Sequence, residues 1–232
     1  MNGGRINRLM EIEGSMDSTR ENILQRLRKN LADVEGQAPG VTDLRTGGIT
    51  EDRDAIIGRF TDALEKVGGR VIRCRKEELS AELAKIFPII ERVWLEPHPY
   101  LESVRSDRFS AEKDPTLCGG AVTTCDALIA ETGTVILSRN EHRTRSSSLV
   151  IATHCVVASP DQIVSTLDEY LLQQKKSDPG WLHGTSALTL ITGPSRTADI
   201  EKVLIQGMHG PRELVLILVD GSAFRLEEGI LR

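Results

Sequence analysis

The stretch from Ala187 to Gly221, ALTLITGPSRTADIEKVLIQGMHGPRELVLILVDG, constrains the fold most, because it alternates apolar, β-branched runs with a helical pattern and breaks only at glycine and proline. The runs from Ala187 to Thr192 and from Glu213 to Val219 are too short for helices and too continuous for one-sided strands. Both are therefore predicted as central strands of a parallel sheet. Between them, Ile200, Val203 and Leu204 share one helical face, and Gly207 stands where a left-handed C-terminal cap sits. The pattern predicts one βαβ unit. Its helix would open at Gly193-Pro194-Ser195-Arg196-Thr197, and unpaired N–H groups at a helix N-terminus favour an anionic ligand. Asp199 and Glu201 would put negative charge in the same turn and oppose a strongly anionic ligand, with Arg196 partly offsetting them. Ser195 and Thr197 read equally as plain caps or as ligand contacts.

The upstream chain alternates in the same way. An amphipathic helix from Thr50 places Ile56, Phe60, Leu64 and Val67 in register and ends at Gly68-Gly69, before a strand from Arg70 to Arg73. Glu77 to Ile86 repeats the helical pattern, and Pro88 stops it ahead of a strand from Arg92 to Leu95. Such alternation predicts crossover connections and a three-layer α/β fold, a mainly parallel sheet with helices on both faces. His98 to Gly120 is irregular and reads either as a lid or as a surface excursion. His154 to Ala158 is a further strand, and Ser159-Pro160-Asp161 opens a helix whose inner face is Ile163, Leu167, Tyr170 and Leu171. Trp181 either covers a crevice or packs over a helix end. Three segments result: a flexible lead over 1–17, a helical arm and linker over 18–48 with Ile23, Leu24, Leu27 and Leu31 on one face, and the α/β domain over 49–232.

A chain of 232 residues and formal charge −5 has no basic excess for nucleic acid or an anionic membrane surface. No apolar run reaches the length of a membrane span, and the first residues lack a signal peptide's apolar core, so the expected location is cytoplasmic. Cys74, Cys118, Cys125 and Cys155 lack the spacing of zinc or iron–sulfur ligands, and the five histidines form no helical ligand pair, so no metal is expected in this chain.

In DALIAETGTVIL, two apolar strands flank Glu131-Thr132-Gly133, followed by Thr134. The glycine marks a tight turn, and the carboxylate ends a core strand, the edge at which open α/β sheets bind ligands. Arg139, His142, Arg143 and Arg145 follow in one loop and could grip an acidic substrate. Glu131 and the turn from Gly193 to Thr197 are expected to share one crevice at the carboxyl edge of the sheet. His209, in GMHGP, reads either as a dipole partner at the helix exit or as a general base near Glu131.

GPSRTADIE followed by GMHGPREL, with DALIAETGTVIL upstream, resembles the LUD-domain family, in particular its lactate utilization protein C branch. The resemblance is close over the last half of the chain and extends to the first half in helix order. It implies a fold related to ribose-5-phosphate isomerases and CoA transferases, and a subunit in oxidation of L-lactate to pyruvate. Its partners would be iron–sulfur subunits, with the cluster held by the partner and no cofactor bound by this chain. No GxGxxG fingerprint is present, so electrons would pass through that partner. The ligand would be a small organic acid or nucleotide-like molecule. Glu131 keeps three readings: an acyl-forming nucleophile, which the CoA-transferase likeness suggests, an orienting acceptor, or an ion-pair residue. A stand-alone acyl-CoA or sugar-phosphate enzyme and a non-catalytic scaffold remain the alternative functions.

Overall fold

The computed structural model describes residues 52–90, 92–110, 114–138, 145–178, 180–181, 187–197, 205–206 and 210–220, together with Glu21 and Gln25. The chain divides into two compact units, Met1–Arg45 and Thr46–Arg232. Glu21 and Gln25, in the first, are helical and exposed.

In the second unit the order is α1 (Arg53–Lys66), β1 (Arg70–Arg75), α2 (Leu79–Ile86), β2 (Val93–Leu95), β3 (Phe109–Ser110), β4 (Gly120–Thr123), β5 (Ala127–Ile129), β6 (Thr134–Ser138), α3 (Ser146–Leu149), β7 (Thr153–Ala158), β8 (Ile163–Val164), α4 (Leu167–Ser177), β9 (Leu188–Ile191), β10 (Arg196–Thr197), β11 (Ile205–Gln206) and β12 (Glu213–Asp220). Six strands form one wholly parallel sheet in the order β1-β12-β7-β4-β2-β3. The fold is α/β. In β12 successive side chains enter opposite cores, which is why Leu214 to Val219 is apolar without interruption.

On one face, Leu79, Leu83 and Ile86 of α2 pack with Leu101 over Val122, Val157 and Ile217. On the other, Phe60 and Leu64 of α1 pack with Leu128 and Val135 over Val156, Leu214 and Leu216. That second layer includes a separate four-stranded sheet, β8-β5-β6-β9, in which β5 pairs β6, and β6 pairs β9, in antiparallel fashion. Tyr170 of α4 covers its far side, with Trp181 edge-on to Tyr170 at 6.1 Å between ring centroids. Trp181 thus packs at a helix end.

Four expectations are corrected. β9 is an antiparallel strand of the second sheet, not a central parallel strand, so 187–221 is not a single βαβ unit. Instead of belonging to the expected helix, Ile205 and Gln206 are extended and pair with Thr197 and Arg196; residues 198–204 and Gly207 lie outside the described residues. Ile205 is β-branched, a residue type that favours extended backbone. Ser159-Pro160 opens only one 3-10 turn; Ile163 is in β8, and α4 starts at Leu167, where Thr166 Oγ1 accepts a bond from the Glu169 N–H at 3.2 Å. Finally, the stretch after His98 buries Tyr100, Leu101, Val104 and Phe109 and supplies the edge strand β3, so it builds the sheet rather than covering an opening.

Candidate functional site

Glu131-Thr132-Gly133 is the tip of the β5–β6 hairpin. The Gly133 N–H donates to Ile129 at 2.9 Å, and Gly133 has φ 64°. Thr134 and Thr192 face each other across β6 and the end of β9, and their hydroxyls lie 2.7 Å apart. Thr132 joins them, 2.6 Å from Thr134, giving a ladder of three hydroxyls with a buried middle member and exposed ends. The hairpin tip and the turn after β9 are therefore adjacent.

Both turns rest on the C-terminal turn of α1. Gly68, φ 88°, and Gly69 donate their N–H groups to Glu65 and Leu64, both at 2.9 Å, the paired closure of a Schellman motif. A Cβ on Gly193, φ 80°, would come within 2.7 Å of the Val67 carbonyl oxygen. The Arg196 guanidinium donates to that same carbonyl, at the negative end of the helix dipole. Gly193 thus lets the backbone approach α1, and Arg196 caps it. Pro194 is buried. Ser195, half-buried, donates its N–H to the Pro211 carbonyl at 2.8 Å. Arg196→Ala should remove the cap and cost about 1 kcal/mol, seen as a melting temperature lower by roughly 2–4 °C; an unchanged midpoint in thermal denaturation would argue against capping.

The location differs from expectation. Gly68-Gly69 leads into β1 and Pro211 into β12, so this cluster sits at the amino edge of the parallel sheet, not the carboxyl edge. A hairpin returns the chain in half a crossover, which puts its tip at the opposite end from where β4 finishes. Glu131, Thr132 and Thr192 are exposed there. Thr197 lies in β10, whereas Arg143, Asp199 and His209 lie outside the described residues.

The carboxyl edge carries residues that motif reading passed over. Connections leave β2 and β4 in opposite directions, toward β3 and β7, so their carboxyl ends flank a topological switch point. There Glu96, 2% exposed, accepts from the Thr124 N–H at 2.6 Å and the Thr124 hydroxyl at 3.0 Å. Deeper in the sheet, Thr123 at the end of β4 meets His154, the second residue of β7, at 2.9 Å between Oγ1 and Nε2, and both are fully buried. Asp126 accepts from the N–H and hydroxyl of Ser138, closing the root of the hairpin. The usable signal was present: Glu96 directly follows an apolar strand, as Glu131 does.

All four cysteines are free and buried. Burial pushes the Cys155 thiol far above its ordinary range and raises that of Cys74, which keeps both protonated and unreactive. Among the described residues no group of three or more His, Cys, Asp or Glu could hold a metal ion. None of their helices is long and apolar enough to cross a membrane.

A parallel α/β sheet with an inserted mixed four-stranded sheet, its ETG hairpin and GPS turn both set against the end of α1, defines a recognisable class. A family model described as LUD domain matches residues 91–219, from the approach to β2 almost to the end of β12. The chain belongs to the LUD domain family. It is 31% identical over 175 residues to Lactate utilization protein C of Deinococcus radiodurans, covering 72% of this chain and 81% of that protein. Lactate utilization protein C of Macrococcus caseolyticus is 35% identical over 99 residues, 43% of each chain. The Bacillus subtilis protein of the same name is 33% identical over 99 residues, 43% of this chain and 41% of that one. Among solved structures, that of a DUF162 family protein from Deinococcus radiodurans is similar at TM-score 0.58 and 26% identity, covering 74% of this chain and 99% of that one.

Proposed function

We propose that this chain is a subunit of a system that uses L-lactate by oxidising it to pyruvate, with the paired turns as its docking point for a small organic acid or nucleotide-like ligand. The observation that carries the reading is the similarity to a lactate utilization protein C along 81% of that protein's length. In this reading Glu131 and the hydroxyls of Thr132, Thr192 and Ser195 orient the ligand through hydrogen bonds. An exposed carboxylate keeps its water and suits orientation better than nucleophilic attack, which calls for an activating environment. We assign the iron–sulfur cluster to a partner subunit, because Cys74 and Cys155 are protonated thiols on separate strands, a poor donor set for a cluster.

Deleting the gene in its own host should abolish growth on L-lactate while leaving growth on pyruvate intact. The wild-type gene should restore it, and Glu131→Gln, which keeps the fold at an exposed site, should restore it poorly. Undiminished growth of the deletion strain on L-lactate rejects the function. Full rescue by Glu131→Gln rejects the ligand site alone.

A further inference from the structure

The ladder of Thr132, Thr134 and Thr192 holds a fixed number of protons, and that number limits what can bridge it. Thr134 Oγ1 lies 2.6 Å from the Thr132 hydroxyl and 2.7 Å from that of Thr192, and Thr134 is 4% exposed. No other group among the described residues bonds to these three hydroxyls. A hydroxyl carries one proton and two lone pairs. Contacts this short each need a proton between the oxygens, so two of the three protons stay inside the ladder. One is left for the outside. If Thr192 offers it, Thr132 faces outward with a lone pair; if Thr132 offers it, Thr192 does. Donation from both ends to Thr134 is disfavoured, because it strands the Thr134 proton in a buried position. The ladder therefore ends in one donor and one acceptor.

Two neighbours give the ladder a direction. Glu131 directly precedes Thr132 and is exposed, so a ligand carboxylate is repelled from that end and is received by Thr192. Leu190 pairs with Ile136 and stands two residues before Thr192, hence on the same face of the sheet, and it is 45% exposed. It flanks the hydroxyls with an apolar surface on which a short aliphatic chain can rest.

Resting on the docking point proposed above, we infer that the buried Thr134 hydroxyl makes this site selective for a 2-hydroxy acid over the corresponding 2-keto acid. A 2-hydroxy acid supplies what the two ends require: its carboxylate accepts from Thr192, and its hydroxyl donates to Thr132 or Glu131. A 2-keto acid presents acceptors only. Its carboxylate and its carbonyl oxygen compete for one proton, and the oxygen that loses faces a lone pair. Thr134 meets no ligand itself and acts through the hydroxyls on either side, which makes it a positioning residue. In an oxidation of L-lactate the site would hold substrate in preference to product.

The test is ligand-observed NMR titration of the full chain with L-lactate and with pyruvate. Wild type should bind L-lactate about tenfold more tightly, the effect of one hydrogen bond lost and one acceptor left facing another. Thr134→Val keeps the shape of the side chain and removes the middle hydroxyl. Both end hydroxyls are then free to donate outward, so pyruvate should bind more tightly than to wild type and the preference should fall to about twofold or less. Thr134→Ser keeps the ladder and should keep the preference. Leu190→Ala should weaken both acids by the same factor. The Thr134 variants should melt close to wild type, because Thr132 and Thr192 are exposed and take water as a partner when the middle hydroxyl is gone. Equal binding of the two acids by wild type overturns the inference and leaves the docking point standing. So does a preference that survives Thr134→Val. Failure of wild type to bind either acid overturns the docking point, and the inference with it.

Discussion

Gly133→Ala is expected to lower the melting temperature of the α/β unit by roughly 10 °C, the cost of about 3–5 kcal/mol in a domain of this size. Two effects add. Gly133 has φ 64°, a left-handed conformation in which a Cβ costs on the order of 1–3 kcal/mol. The added atom would also lie 2.6 Å from Leu64 Cα and 2.7 Å from the Ala63 carbonyl carbon. These are backbone atoms in the middle of a packed helix turn, so neither can move aside as a side chain could, and overpacking adds roughly 1–3 kcal/mol. Gly58→Ala is the matched control: it sits in α1, where an added Cβ finds nothing within 4 Å, so it should stabilise by about 0.5–1 kcal/mol. Thermal denaturation of the two variants should therefore shift in opposite directions. A near-neutral Gly133→Ala would mean that the hairpin tip does not rest on α1.

The same contact explains which parts of the fold were readable from the chain. Strand β12 and helices α1 and α2 were legible because each buries a full face or stripe, and burial writes a period into the sequence. Strand β9 was not. Leu188 to Ile191 is apolar enough for a central strand, yet it lines an edge with Leu190 exposed, and a run of four residues carries too little pattern to tell the two apart. Direction was the larger loss. An apolar run says that a strand is buried but not whether its neighbour is parallel, so Glu131 was assigned to a carboxyl edge when its hairpin places it at the amino edge. The glycines of the ETG and GPS turns were noticed as turns; their reason, close approach to Leu64 and Val67, depends on a helix about seventy residues upstream of Gly133 and more distant still from Gly193. The cap that Arg196 provides was illegible for the same cause: a guanidinium beside a turn looks the same in sequence whether it meets a ligand or a carbonyl.

Glu96→Leu should destabilise the α/β unit by about 3–4 kcal/mol, although removing a buried charge could be expected to help. The carboxylate is 2% exposed, and its dehydration is costly, so exchange for a well-packed apolar residue can be neutral or favourable when both partners of a buried polar pair are replaced. Here one partner cannot be replaced. The Thr124 N–H belongs to the backbone, donates to Glu96 at 2.6 Å, and would lose that acceptor along with the partner of the Thr124 hydroxyl. Hydrogen bonds to a charged group contribute about 1.5–3 kcal/mol each, and a stranded buried donor costs about 1–3 kcal/mol. These losses exceed the dehydration relieved. Glu96→Gln keeps the shape and one acceptor oxygen, so it should cost only about 1–2 kcal/mol, and combining it with Thr124→Val should show coupling rather than simple addition. Urea denaturation measures all three, with the midpoint moving and the slope unchanged if the native fold is kept. A Glu96→Leu variant as stable as wild type would show that the carboxylate is tolerated at the switch point rather than required there, and that the seam between β2 and β4 is held by its ladder bonds alone.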